Sequence, residues 1–436
     1  MNYNQKNLKF VFIGAGSSVF TMRLIGDLLS EKVIEGGHLA LVDIDASVLS
    51  ETEDAVKILI KNTRANFMVT AHTDYREAID GANFVILTFA TGAYARWKKD
   101  IEVCTAHGVL QSVGDTIGPG GIIRTLRTIP VVVDIALEME KRCPDAYIIN
   151  YANPEGAVCL SIQKYTKIKS FGLCHGTPNT AHILAEKVFK VERSRLNYRA
   201  AGINHLTWFT DLTIDGEDVY PQMWDKLHES GIDKVEPIST ELFKVYGLYP
   251  APGDRHVGEF FPFFLKEKVL IEQNYKWKNN DFAIVDGWRK EARKHFDETR
   301  LQNIGYEKFL EGSGETATHF IKSLITGEIS SEMVNFINKG YIDNISSDVI
   351  VELPTFADKF GLHPQKVGRL PDAIANKCDA LGREYLMTVE AAMECDYNKA
   401  LQAMYVDPLV ANCNYPERLL QDLIKANLDL LPLAWK

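Results

Sequence analysis

Two stretches of the chain carry residue types able to do chemistry at spacings that matter. In the first, Gly14-Ala15-Gly16-Ser17-Ser18-Val19 follows the apolar run Lys9–Ile13 and precedes a helix-period pattern through Phe20, Leu24, Ile25, Leu28 and Leu29. Glycines in such a turn let the backbone approach a pyrophosphate, and the helix start offers it N–H groups and a positive dipole end. Val19 stands where a third Gly or Ala completes the pattern, so the fingerprint is imperfect. Asp43, at the end of the next apolar run, strengthens it: a carboxylate there accepts both ribose hydroxyls, which favours NAD over its 2′-phosphorylated form. A purely structural glycine turn is the alternative. In the second stretch, Cys174-His175 is followed by His205 in Gly202-Ile203-Asn204-His205. A thiolate and imidazoles brought together bind a divalent metal, and softness alone points to zinc before manganese. Adjacent Cys-His is not a ligand-pair spacing, and a buried thiol beside a satisfied imidazole is the commoner outcome.

Three loops supply further polar groups. Asn150-Tyr151-Ala152-Asn153-Pro154 follows an apolar run; the proline holds Asn153 extended, its amide free for sugar hydroxyls or the nicotinamide ribose. Val113-Gly114-Asp115-Thr116-Ile117-Gly118-Pro119-Gly120-Gly121 presents one carboxylate in a glycine-rich loop, with Arg124 and Arg127 behind it. The same string also suits a helix start with Asp115 near the cap. Tyr249-Pro250-Ala251-Pro252-Gly253-Asp254-Arg255-His256 fixes an acid, a base and a cation in an irregular turn, or is simply a rigid surface turn.

These groups need a frame. Lys9–Ile13, Leu39–Val42, Val69–Ala71, Phe84–Phe89, Tyr147–Asn150 and Ser170–Leu173 read as strands. Helical patterns lie between them, including Ser47–Asn62, Tyr75–Ile79 and Thr128–Lys141. That rhythm predicts an α/β fold, a Rossmann-like doubly wound parallel sheet with Asn153 and Cys174 at its carboxyl edge. After about residue 195 the rhythm breaks. Thr207–Ile214 reads as a strand feeding an Asp215-Gly216 turn, Glu241–Tyr246 and Gly258–Lys268 as helices, and the third from Gly314 onward as mostly helical. The expected division is 1–195 for a dinucleotide domain and 196–436 for a mixed α+β domain.

The 436 residues are 46% hydrophobic and 24% charged, which supports a large core and excludes a disordered chain. A net charge of −10 argues against nucleic acid or an anionic membrane as partner. The seven cysteines are odd in number and irregularly spaced, so no disulfide framework is expected. Without a signal-peptide pattern or an 18-residue apolar run, a cytoplasmic location is expected, with no membrane span.

Taken together the motifs resemble glycoside hydrolase family 4. The resemblance runs from Phe12-Ile13-Gly14-Ala15-Gly16-Ser17 with Phe20-Thr21 through Gly118-Pro119-Gly120-Gly121, Leu126-Arg127-Thr128-Ile129-Pro130, Asn153-Pro154, Cys174-His175-Gly176 and Gly202-Ile203-Asn204-His205. It continues into Ser313-Gly314-Glu315 and the spaced Asn335, Asn338, Gly340 and Asn344. It implies NAD- and divalent-metal-dependent hydrolysis, usually with Mn2+, outside the two-carboxylate scheme of most glycosidases. In that scheme C3 of the sugar is oxidised, the C2 proton is removed, the aglycone leaves, water adds and the hydride returns.

Carried over by position, Cys174 and His205 are implied as metal ligands, with His175 beside them at metal or substrate. The resemblance also implies Asn153 as a sugar contact, Asp115 as general acid, and Asp254 or Tyr249 as the C2 base. Gly14, Gly16, Ser17, Ser18, Asp43 and Asn153 would hold NAD. His175 stands where members acting on 6-phosphosugars usually have Asp or Asn, so the substrate expected is an unphosphorylated α-glycoside. An α-glucuronide or α-galacturonide is favoured over an α-glucoside or α-galactoside; Arg124, Arg127 or Arg255 would meet the carboxylate. Relatives in the family form dimers or tetramers, so a homo-oligomer is expected. A 2-hydroxyacid dehydrogenase of the lactate or malate type and a non-catalytic dinucleotide sensor are the alternatives.

Overall fold

The computed structural model describes residues 3–17, 20–266 and 282–435. The apolar runs of the first third become β1 (Leu8–Ile13), β2 (Gly37–Val42), β3 (Phe67–His72), β4 (Phe84–Leu87), β5 (Tyr147–Asn150) and β6 (Lys169–Gly172), all parallel, in the order β3-β2-β1-β4-β5-β6. Every residue of β4 and β5 is buried, because helices cover both faces, and this is why they read as unbroken apolar runs. The helices between strands are α1 (Thr21–Ser30), α2 (Ala46–Thr63), α3 (Ala93–Ala106), α4 (Gly118–Arg142) and α5 (Glu155–Tyr165). Strand order reverses between β1 and β4, which opens a crevice at the carboxyl ends of these strands.

The helix expected over Thr128–Lys141 starts ten residues earlier. Pro119 takes its first turn, and glycines that read as loop are its opening residues. Past α6 (Gly176–Ile183) lies a second, antiparallel sheet. Its strands are β7 (Leu196–Ile203), β8 (Leu206–Ile214), β9 (Glu217–Asp218), β10 (Pro250–Ala251), β11 (Ser330–Ile337), β12 (Ile350–Asp358) and β13 (Gly361–Pro364). The order is β10-β8-β7-β12-β11, with β13 on β12 and β9 on β8.

Three of these strands correct the expectation of a mostly helical end. β11 and β12 pair in full register from Ser330 with Ala357 to Ile337 with Ile350. Pro354 and buried Glu352 within β12 blunt the local strand signal, and a partner far along the chain supplies what propensity does not. Gly258–Lys268 is likewise not one helix: Gly258–Phe260 and Pro262–Leu265 are short 3-10 turns, and residues 267 and 268 lie outside the described part.

The further α-helices among the described residues are α7 (Tyr220–Ser230), α8 (Pro237–Tyr246), α9 (Asp254–Val257), α10 (Phe282–Gln302), α11 (Ala317–Thr326), α12 (Asp372–Glu394), α13 (Tyr397–Val406) and α14 (Pro416–Ala426). One apolar cluster runs from Val11 on β1 to Leu431 near the end of the chain, so the two halves share a core. A buried ion pair, Arg127 to Asp100 at 2.8 Å, crosses that core and is bridged by Asn427. Among the described residues no helix is long and apolar enough to cross a membrane.

Candidate active site

The crevice has two sides. On the β1 side, Gly14 and Ala15 both donate their N–H to Val42 O at 2.9 Å, folding the turn back over β2. Gly16 N–H donates to Asp43 Oδ2 at 2.8 Å, and Asp45 N–H to Asp43 Oδ1 at 3.0 Å. A Cβ on Gly16 would meet Val48 Cγ1 at 2.7 Å and Asp43 Oδ2 at 2.8 Å, so the turn has room for glycine alone. Asp43 is only half-buried and keeps lone pairs for ribose hydroxyls. Ser17 Oγ accepts from Phe20 N–H at 3.3 Å and ties the turn to α1. Ser18 lies outside the described residues.

On the other side the glycine-rich loop folds over the start of α4. A Cβ on Gly120 would strike Gly114 O at 2.6 Å, and one on Gly121 would strike Thr116 O at 2.6 Å. That close crossing sets Asp115 against Asn153 and Thr116. The helix start is served by others: Gly118 N–H donates to Asp407 Oδ2 at 2.7 Å and Gly120 N–H to Gln111 Oε1 at 3.1 Å. Asp115 is therefore not the cap that the sequence also allowed. Its Oδ2 accepts from Asn153 Nδ2 at 2.9 Å and its Oδ1 from Thr116 Oγ1 at 2.9 Å. Arg124 Nη1 lies 4.0 Å from Oδ2, while Arg124 Nε donates to Asn153 O at 3.1 Å. Burial works to raise the Asp115 carboxyl, but Arg124, His256 and His205 together bring it below its ordinary value, so it is a carboxylate at neutral pH.

Thr116 fixes a tautomer. Its hydroxyl proton goes to Asp115, so its oxygen accepts from His205 Nδ1–H at 2.8 Å. His205 Nε2 is then left as the lone-pair nitrogen, the form that binds a metal or takes a proton. His205 sits at φ +63° in the two-residue turn joining β7 to β8. Its ring centroid is 4.1 Å from that of His256 on α9. Burial lowers His205 to about 4, and burial and the neighbouring His205 hold His256 well below its ordinary value. Both are neutral, and His256 Nδ1 is buried without a partner among the described residues. Asp115, His205 and His256 each bring a ligand atom within 4.8 Å of the others. An anionic oxygen and two neutral imidazoles suit a divalent cation of manganese or zinc type.

The other expected residues fall differently. Cys174 is not part of that three-residue group. Its Sγ accepts from Gly176 N–H at 3.4 Å, and burial, with Glu155 and Glu352 nearby, pushes the thiol well above its ordinary value. His175 is exposed and pairs with Glu315 at 3.4 Å, which raises its pKa. Asp254 already works as a cap: its carboxylate accepts Ile238 N–H at 2.7 Å and Ser239 N–H at 2.6 Å at the start of α8. Tyr249 is buried against Phe243, and burial pushes its phenol well above the ordinary value. Arg127, expected as a possible substrate cation, is instead buried in its ion pair with Asp100. Arg255 stays partly exposed, its guanidinium 5.6 Å from the Trp288 ring.

His256 was the residue missed. It lay in a loop marked for its polar density, with nothing to join it to His205. The buried carboxyls below the pocket were also missed. Glu155 accepts from Asn335 Nδ2 at 2.6 Å, and Glu352 accepts from Asn204 Nδ2 at 3.1 Å. Burial raises both, Glu352 to about 7, and their mutual repulsion raises Glu155 further.

A dinucleotide-type parallel sheet, with a buried acid and an amide beside two neutral imidazoles brought by the β7–β8 turn and α9, defines a nucleotide-dependent enzyme with a metal-competent group. The family 4 glycosyl hydrolase profile matches residues 9–190, and the profile of that family's C-terminal domain matches residues 200–410. The chain belongs to glycosyl hydrolase family 4. It is 32% identical to an alpha-galactosidase of Bacillus subtilis (strain 168), over 97% of this chain and 99% of that protein. An alpha-galacturonidase of Thermoanaerobacter italicus is also 32% identical, over 96% of each. Among solved structures, a 6-phospho-alpha-glucosidase from gut microorganisms in complex with NAD and glucose-6-phosphate shares the fold, with a TM-score of 0.85, 24% identity and coverage of 98% of this chain and 99% of that one.

Proposed function

We propose that this family 4 enzyme hydrolyses an unphosphorylated α-galacturonide, using NAD and a divalent cation. The observation that carries the substrate reading is Arg255, a partly exposed cation next to His256 in the chain. His175 at the position after Cys174, and the galacturonidase among the relatives, support it. An α-galactoside differs only in carrying a hydroxymethyl group at C6, and the galactosidase relative favours it as the second reading.

When bound, NAD supplies a reversible hydride acceptor for C3 and the cation supplies Lewis acidity at the sugar oxygens. The chain does the rest. The Gly14–Ser17 turn and Asp43 hold the dinucleotide, and Asn153 orients a sugar hydroxyl. His205 and His256 offer neutral nitrogens to the cation; Cys174 is the further ligand that the family pattern implies. Asp115 serves the leaving oxygen. Its surroundings favour the carboxylate, so in this role it takes up a proton from solvent as substrate binds and is then not a ligand of the cation, which is left to His205, His256 and Cys174. The C2 proton is assigned to Asp254, which must give up a backbone N–H to act.

Nitrophenyl α-galacturonide, α-glucuronide, α-galactoside and α-glucoside, supplied with NAD, Mn2+ and a thiol, test this. The α-galacturonide should turn over fastest, with no net NADH at 340 nm. Stoichiometric NADH would return the chain to dehydrogenase chemistry, and activity confined to 6-phosphoglycosides would sink the substrate reading.

A further inference from the structure

Beneath the pocket, four polar side chains from four separate segments meet out of contact with water. Glu155 opens α5, Asn204 immediately precedes His205, Asn335 lies on β11 and Glu352 on β12; all four are at most 3% exposed. The Asn204 amide reaches both carboxyls, 3.1 Å to Glu352 Oε2 and 3.5 Å to Glu155 Oε2. Asn335 Nδ2 donates to the other Glu155 oxygen at 2.6 Å. Thr177 Oγ1 lies 3.4 Å from Glu352 Oε1 and 2.7 Å from Thr207 Oγ1 on β8, just past the His205 turn.

The cost of such a cluster asks for a use. Two carboxyls buried side by side are expensive, and apolar residues of similar volume are often as stable or more so. The amide oxygens of Asn204 and Asn335 find no partner among the described residues. This polar knot links Glu155, two residues after the expected sugar contact Asn153, to the turn that carries His205 in a left-handed backbone conformation. The β7–β8 pairing closes on the turn at Ile203 with Leu206, and Thr116 holds the His205 ring, so the knot adds the hold on the Asn204 half of the turn.

We propose that Asn204, clamped between Glu155 and Glu352, is a positioning residue that holds His205 for the divalent cation. The inference rests on the reading of His205 as a ligand. Partners that orient a metal-bound histidine typically change metal affinity by about 10- to 100-fold when removed.

The test is Mn2+ affinity of the full-length protein without substrate, by calorimetry, beside NAD affinity measured the same way. Asn204→Ala and Glu352→Ala should each weaken Mn2+ binding at least about tenfold while NAD affinity stays within about twofold. Glu352→Gln keeps an acceptor for the Asn204 amide and should recover most of the loss. Thr177→Val, a milder cut at the edge of the knot, should weaken Mn2+ binding measurably but less than the alanine variants, and serves if those fail to fold. Unchanged Mn2+ affinity in Asn204→Ala and Thr177→Val, with affinity still dependent on His205, overturns the inference alone. NAD and Mn2+ affinities falling in step would reduce the knot to general stability and overturn it too. Mn2+ affinity indifferent to His205→Ala overturns the ligand reading and this inference together.

Discussion

The two sides of the crevice are built by different means. The dinucleotide side is local: Gly14, Gly16 and Asp43 lie within thirty residues and are joined mostly by backbone hydrogen bonds. The pocket side is assembled at long range. Asp115 reaches Asn153 across 38 positions, Thr116 reaches His205 across 89, and Ser112 Oγ reaches Arg255 O across 143. Asp115, Thr116 and His205 are buried there, so each depends on a polar partner to offset the lost water. The dinucleotide side should therefore fail by steric intrusion, and the pocket side by loss of a single polar partner.

His205→Ala gives the largest contrast. It removes the lone-pair nitrogen that Thr116 selects, and turnover should fall by more than the roughly 100-fold typical of losing an outer partner of a metal ligand. Calorimetric NAD affinity should stay near wild type. A parallel loss of NAD binding would mean that the two sides are one mechanical unit and would break the comparison.

Gly16→Ala is the reciprocal cut. The new methyl lies within 3 Å of both Val48 and Asp43, and overpacking of that kind costs about 1–3 kcal/mol. NAD affinity should fall roughly 10- to 100-fold, with Mn2+ affinity retained. An unchanged NAD dissociation constant would show that the turn relaxes freely and that Asp43 is not held by Gly16.

The contrast also explains what the sequence could reveal. The parallel sheet and its glycine turn were legible because adjacent residues make them: apolar runs, a turn and a terminal acid are local signals. Asp115, Asn153 and His205 were reachable because each sits in its own short motif. His256 was not, because nothing in Asp254-Arg255-His256-Val257 points to a ring 51 positions earlier. The buried Glu155, Glu259 and Glu352 were illegible for the same reason: a carboxylate in a sequence reads as surface until the fold removes its water. β11 to β13 escaped because a proline and a glutamate interrupt β12, and pairing at a distance overrode them.

Glu259→Gln is the mildest test on turnover and the most telling about pH. Glu259 Oε1 accepts Val113 N–H at 3.0 Å and Gly114 N–H at 2.9 Å, holding the loop that presents Asp115. Burial pushes its carboxyl up to about 8, so near neutral pH it is protonated and an amide reproduces its shape. Turnover at pH 7 should stay within about threefold of wild type, since both acceptor contacts survive. Stability should respond more. Between the ordinary value near 4.5 and about 8, the folded chain holds a proton that the unfolded chain has released, so this group's contribution falls as pH rises through that window. Glutamine has no such proton. The variant's thermal midpoint should therefore gain on wild type from pH 5 to pH 8, by an amount corresponding to a few kcal/mol at most, on the order of 1.4 kcal/mol for each pH step of one across that window. A gap that stays constant across that range would show Glu259 to be ionised in the folded chain. The Asp115 loop would then rest on a buried charge, and the pocket side would be far more sensitive to its neighbours than the dinucleotide side.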